Sequence, residues 1–215
     1  MFSSIQSGRV ACAMRSAIAT SRAIISCAVM LTAGSSAAAQ SAQKYAFQLA
    51  ALSTSISVGS GSPSINGYGI EPQVRFNRLY VTESFGVSLG LGAQYTSHTR
   101  GSQTLKIAGA FIEPRWVPAL GSATFFPYLS GRLALLQQSS DFASSSTGAA
   151  YGAGAGVAIK LTPRLNLDAG VALVRQQFGD AAFSGTGGGT AKFNAFTSYA
   201  AKVGVSWGFP VKSHE

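Results

Sequence analysis

From about residue 40 to residue 209 the chain alternates apolar and polar positions in stretches of about ten residues. Tyr68-Gly69-Ile70-Glu71-Pro72-Gln73-Val74-Arg75-Phe76-Asn77 shows the pattern most clearly. A period of two sets Tyr68, Ile70, Pro72, Val74 and Phe76 on one face of a strand and Glu71, Gln73, Arg75 and Asn77 on the other. Turn signals divide the alternation into eight strands, at roughly 44–57, 66–78, 83–97, 104–117, 125–138, 149–162, 165–178 and 192–209. Strand three offers Phe85, Val87, Leu89, Leu91, Ala93 and Tyr95 against a Gly/Ser/Gln face, and the last strand offers Tyr199, Ala201, Val203, Val205, Trp207 and Phe209. Strand four breaks phase, because Leu105 and Ile107 oppose Ile112, Pro114 and Trp116, which predicts a bulge or a shifted boundary.

The connections alternate in character. Those near 58–65, 98–103, 139–148 and 179–191 are polar and Gly/Ser/Thr-rich, which predicts loops, whereas 79–82, 118–124 and 163–164 predict tighter turns. Aromatic residues gather at strand ends. Phe76, Tyr80, Phe85, Trp116, Phe125, Phe126, Trp207 and Phe209 fall toward the turn side, and Tyr68, Tyr95, Tyr151 and Tyr199 toward the loop side. Two such girdles are the arrangement by which amphipathic rings mark the two interfaces of a bilayer. Nine to eleven residues is about the length with which a tilted strand crosses one.

Alternation alone leaves open which face is outside, and composition decides it. Only 11% of residues are charged, against roughly 25% in soluble proteins. A water-facing exterior would need more charge, and no apolar run reaches the length of a spanning helix. A closed barrel remains as the structure that satisfies its backbone hydrogen bonds within lipid. The expected fold is therefore all-β: an eight-stranded antiparallel up-and-down transmembrane barrel, with both termini on the short-turn side.

The first residues read as an address. Arg9, Arg15 and Arg22 precede the apolar run 23–31, and the small-residue segment Gly34-Ser35-Ser36-Ala37-Ala38-Ala39 follows it, which together make a secretory signal peptide. Ala37 and Ala39 form the A-x-A site, with cleavage expected before Gln40. The chain then divides into a signal peptide at 1–39, a barrel domain at 40–209 and a short tail at 210–215. Both cysteines, Cys12 and Cys27, lie in the removable segment, so the mature chain is expected to have no disulfide and no thiol chemistry. The formal net charge is +9, but the basic residues are scattered singly along the strands, unlike the clustered footprint of a nucleic-acid binder.

The inward phase carries Glu71, Arg75, Glu113, Arg115, Arg132, Lys160, Asp168 and Lys202. Charges in a narrow lumen are costly unless paired, so these residues are expected to form one ion-pair and hydrogen-bond network. Ile70-Glu71-Pro72 and Ile112-Glu113-Pro114 recur at equivalent places, which sets two carboxylates at similar depth, met by Arg75, Arg115 and Arg132. Eight strands leave an interior only wide enough for side chains, so the network reads as a plug. Other chemistry is thin. His98, in Ser97-His98-Thr99, is placed in a solvated surface loop, and His214 lies in the tail. No acid orients His98 toward a nucleophile, and no metal-ligand spacing exists. Gly185-Thr186-Gly187-Gly188-Gly189 lacks the Lys-Ser/Thr of a phosphate loop.

The last strand, Lys202-Val203-Gly204-Val205-Ser206-Trp207-Gly208-Phe209, resembles the barrel-assembly signal of the small outer-membrane β-barrel proteins of the OmpA/OmpX type. The segments 125–131 and 161–168 are similar to that family's strand entry and periplasmic turn. The resemblance covers roughly 44–209 and departs from the family where Pro210 to Glu215 follow the aromatic that is usually terminal. It implies Lys202, Gly204, Trp207 and Phe209 as assembly residues. It also implies a Gram-negative outer-membrane location, a monomer bathed in outer-membrane lipid and lipopolysaccharide, and delivery by periplasmic chaperones and the barrel-assembly machinery. A non-enzymatic structural or surface-contact role without cofactor is the first expectation. A narrow, porin-like transport barrel for small or hydrophobic solutes and a lipid-A-modifying barrel enzyme are the alternatives.

Overall fold

The computed structural model describes residues 43–57, 64–120, 122–141, 143–182, 190–191 and 195–209. The expected signal segment with Ala37 and Ala39, the Gly-rich segment 185–189, His214 and the tail lie outside them. The described chain forms β1(Tyr45–Ser57), β2(Ile65–Val81), β3(Phe85–Arg100), β4(Gln103–Pro118), β5(Phe125–Ser140), β6(Ala143–Lys160), β7(Leu165–Phe178), the short pair β8(Ala181–Ala182) and β9(Thr190–Ala191), and β10(Phe196–Phe209). The eight long strands close in the order β1-β10-β7-β6-β5-β4-β3-β2. Every pair is antiparallel, and the seam is the in-register ladder from Tyr45↔Phe209 to Ser57↔Thr197. Closure leaves no strand edge among the eight, so the ladder satisfies its own backbone in a medium that offers no other partner.

The alternation dictates the two faces as expected. Along β10 the outward Tyr199, Val203, Val205, Trp207 and Phe209 are exposed, while Lys202, Gly204, Ser206 and Gly208 are buried. β1, β2 and β3 obey the same rule, so a continuous apolar wall faces outward. At its turn-side rim, rings touch across strands. Tyr45 meets Phe76 edge-on at 5.7 Å, and Phe85 lies between Tyr80 at 5.9 Å and Trp116 at 6.0 Å. Phe126 is a correction to the expected girdle, because it falls in the inward phase of β5 and lines a cavity at the turn-side end of the lumen.

The connections differ from the sequence reading in an informative way. The polar segments 98–103 and 139–148 are mostly strand, which leaves only 101–102 and 141–142 between strands. Gly101, at φ 62°, takes the left-handed conformation that the first of these turns requires. Polar composition suggests loops because it lacks an apolar face. Above the bilayer, however, a hairpin needs only its ladder hydrogen bonds, and Ser and Thr outside can be hydrated. β6, at 18 residues, is accordingly far longer than a bilayer crossing requires. Strand four has no bulge: β3 and β4 pair without a shift from Phe85↔Pro118 to Arg100↔Gln103. The irregularities fall instead between Phe76 and Tyr80, where Arg78 has φ 59°, and between Gln138 and Ser140. Leu105 and Ile107 are in phase and point inward, so the inner face of β4 changes chemistry along its length.

Candidate functional site

The lumen is filled in two layers. The lower one is ionic and brings together seven of the eight expected residues. Glu113 on β4 is its hub, since Arg75 reaches Oε1 at 3.0 Å, Arg115 Nε reaches Oε1 at 2.9 Å, and Lys202 reaches Oε2 at 2.9 Å. Arg132 Nη2 lies 2.6 Å from both Glu113 Oε2 and Glu71 Oε2, with hydrogen-bond geometry toward Glu113. Lys202 also approaches Glu71 at 3.4 Å. The two I-E-P carboxylates thus share two cations, Arg132 from β5 and Lys202 from β10, whereas the expected Arg75 and Arg115 reach only Glu113 of the two. Arg115 continues the network to Asp168 at 2.5 Å.

Each charge sits where the strand phase sends it, and neighbouring glycines make room. The Arg75 guanidinium lies against Gly90, where a Cβ would fall 3.0 Å from Nη2. Glu71 and Glu113 are almost fully buried, and so are the cations on them. Such charges persist only when each has a partner, because desolvation costs several kcal/mol per ion. Counting Glu71, Glu113 and Asp168 against Arg75, Arg115, Arg132 and Lys202 leaves this layer one positive charge in excess.

Lys160 is the exception among the expected residues. It is half-buried at the turn-side end of β6, opposite Asn166, and makes no ion pair among the described residues. The inward phase predicts its direction correctly but says nothing about its depth. Tyr128 is a member of the site that the sequence reading does not include. Its hydroxyl donates to Asp168 Oδ1 at 2.9 Å, and its ring lies 3.8 Å from the Arg115 guanidinium carbon. Gln73, which accepts from Arg75 at 2.9 Å, and Gln94, which accepts from Arg132 at 3.2 Å, are further additions. The phase of β5 is the available signal for Tyr128, since Tyr128 and Arg132 lie four residues apart on the same face.

Above the ions the lumen turns apolar. Ile56, Ile107, Phe111, Leu136, Ala150, Val174, Phe178 and Phe196 pack there from six strands. Phe178 and Phe196 stack at 5.7 Å. Phe111 joins the layers, with the Arg132 guanidinium carbon 4.1 Å from its ring centre. His98 overturns its expected place in a solvated loop. It sits on β3, 2% exposed, facing inward, with Nε2 2.8 Å from Thr54 Oγ1. Its ring rests over Gly67, where a Cβ would strike the imidazole. Among the described residues no cluster of His, Cys, Asp and Glu could hold a metal ion. On the turn side a cavity of about 90 Å³ remains, lined by Arg75, Arg115, Ser88 and Phe126 among others.

These features define the class: a closed, eight-stranded, up-and-down β-barrel with an apolar outer wall and a filled lumen. No protein-family model matches the chain, and no curated protein matches it. The barrel is similar to the crystal structure of Neisserial surface protein A (NspA), with TM-score 0.57 and 21% identity over 77% of this chain and 97% of that one. Looser likenesses are a major outer membrane protein from Thermus thermophilus (TM-score 0.49, 14% identity, 77% and 99% covered) and Ail of Yersinia pestis (TM-score 0.44, 13% identity, 78% and 99% covered). The likeness to NspA concerns the fold alone. The fold is the one the resemblance to OmpA/OmpX-type barrels implied.

Proposed function

We propose that this protein is a non-enzymatic, non-conducting barrel of the Gram-negative outer membrane, acting in envelope integrity or surface contact through its outer wall and the hairpins above it. The observation that carries this reading is the doubly closed lumen. An ion could pass only by dismantling the Glu71–Glu113 layer and then crossing the stacked Phe178–Phe196 layer. Transport of hydrophobic solutes meets the same obstruction. A lipid-modifying activity would draw on His98, which is turned into the lumen against Thr54, away from acyl chains outside the wall. Export through the signal peptide, delivery by chaperones and the barrel-assembly machinery, a monomeric state, and contact with lipopolysaccharide belong to this same proposal.

Planar-bilayer recording of the refolded mature chain tests it. The expected result is no steady conductance above that of the bare membrane. A constant open level, abolished by heat denaturation, would overturn the proposal in favour of a narrow pore.

A further inference from the structure

The outer wall carries a charge where its pattern calls for an apolar residue. On β7 the outward phase runs Val171, Leu173 and then Arg175, which is exposed. Arg175 stands opposite Thr197 on β10 and Tyr151 on β6. One rung nearer the turn side, Leu173 faces Tyr199 and Ala153. The guanidinium therefore sits within the loop-side tyrosine belt, at headgroup level. It forms no ion pair among the described residues. An Arg on the lipid face is costly unless it reaches the interface or an anion. Beside it runs a surface groove of about 660 Å³, lined by Arg175, Thr197, Tyr151, Leu133, Leu173 and Ala153 among others. Small Ala153 lies low between the larger Leu133, Tyr151 and Leu173, so the groove is apolar along its length and cationic at its upper end.

We propose that this groove seats a phosphorylated, multiply acylated lipid of the outer leaflet. Its phosphate sits on Arg175 with the Thr197 hydroxyl as a second donor, and one acyl chain lies along Leu133 and Leu173. Charge complementarity selects this occupant. A guanidinium fork matches phosphate oxygens with paired, charge-assisted bonds, and only an amphiphile also fills the apolar trough below. The inference rests on the reading that the loop side faces outward in an outer membrane.

The test uses the mature chain folded in detergent micelles, with retained lipid counted by native mass spectrometry. The probes are bisphosphorylated lipid A, its monophosphoryl form and a diacylglycerol lacking phosphate. Bisphosphorylated lipid A should be retained most and diacylglycerol least. Arg175→Gln should weaken lipid A retention by at least about tenfold, the equivalent of one charge-assisted bond. Arg164→Gln, on an exposed turn at the opposite end, should leave retention unchanged. Equal retention by Arg175→Gln, or of diacylglycerol, would overturn the proposal, the latter in favour of an apolar occupant. Displacement of lipid A by millimolar inorganic phosphate would overturn it in favour of a free-anion seat. Conductance is read separately: Arg175-dependent retention of lipid A by a barrel that conducts would sink the sealed-lumen proposal and leave this one standing, and a sealed barrel that retains no lipid A would do the opposite.

Discussion

Replacing Glu113 by Gln removes a charge on which four cations converge while keeping the side chain's shape. Arg75, Arg115, Arg132 and Lys202 all lie within 2.6 to 3.0 Å of its two oxygens. The layer's formal excess rises from one positive charge to two, among side chains that are all buried. Taking one partner from a buried pair leaves an uncompensated charge and costs about 3–5 kcal/mol. With four cations affected, the upper part of that range is expected. This is a large share of the roughly 5–15 kcal/mol by which a typical domain is stable. Reversible urea unfolding in lipid vesicles measures it, followed by tryptophan emission, since Trp116 and Trp207 both face outward and leave lipid on unfolding. Lys160→Gln, outside the network, should cost less than about 0.5 kcal/mol. Adding Lys202→Met to Glu113→Gln restores the charge count and should recover part of the loss, with a coupling of about 0.5–3 kcal/mol. A loss under about 1 kcal/mol for Glu113→Gln, the size seen for exposed pairs, would refute the argument that this layer is a dry, mutually dependent network.

Two further outcomes follow from the outer wall and the seam. Leu89→Arg or Val157→Arg, in the outward phase near mid-wall, should each cost about 2–4 kcal/mol in the same assay, while Tyr199→Arg in the loop-side belt should cost about 0–1; equal penalties at the two depths would sink the assignment of bilayer position. Phe209→Ala should slow membrane insertion and leave periplasmic aggregate, because Phe209 begins the closing ladder opposite Tyr45, and an unclosed terminal strand exposes its edge. Deleting 210–215 should leave insertion intact, as read from pulse-labelled outer-membrane fractions, and wild-type assembly of Phe209→Ala would show that the signal lies elsewhere.

The alternation alone locates β7 at 165–178 and nearly all of β1, and it assigns Glu71, Arg75, Glu113, Arg115, Arg132, Asp168 and Lys202 to the inside. It succeeds because the pleat is rigid: a period of two cannot send neighbouring residues to the same face. It fails where polarity stands in for conformation. Ser97 and Thr99 suggest a loop around His98, yet all three belong to a ladder that continues beyond the apolar band to Arg100. Leu105 and Ile107 look like a fault in strand four only while the inner face is taken to be polar throughout.

The class of the molecule is written locally along the chain: two faces with different solvents, too little charge for a watery exterior, and buried charges that had to meet. Side-chain direction and transfer cost are local properties, so they can be read residue by residue. The depth of each inward residue is instead a property of the closed barrel, because it depends on how eight strands stagger as they meet. That stagger set Arg132 between Glu71 and Glu113, left Lys160 outside the network, and stacked Phe178 on Phe196 above the ions. It also brought Thr197, Arg175 and Tyr151 into one row on the outer wall, a neighbourhood no stretch of sequence contains.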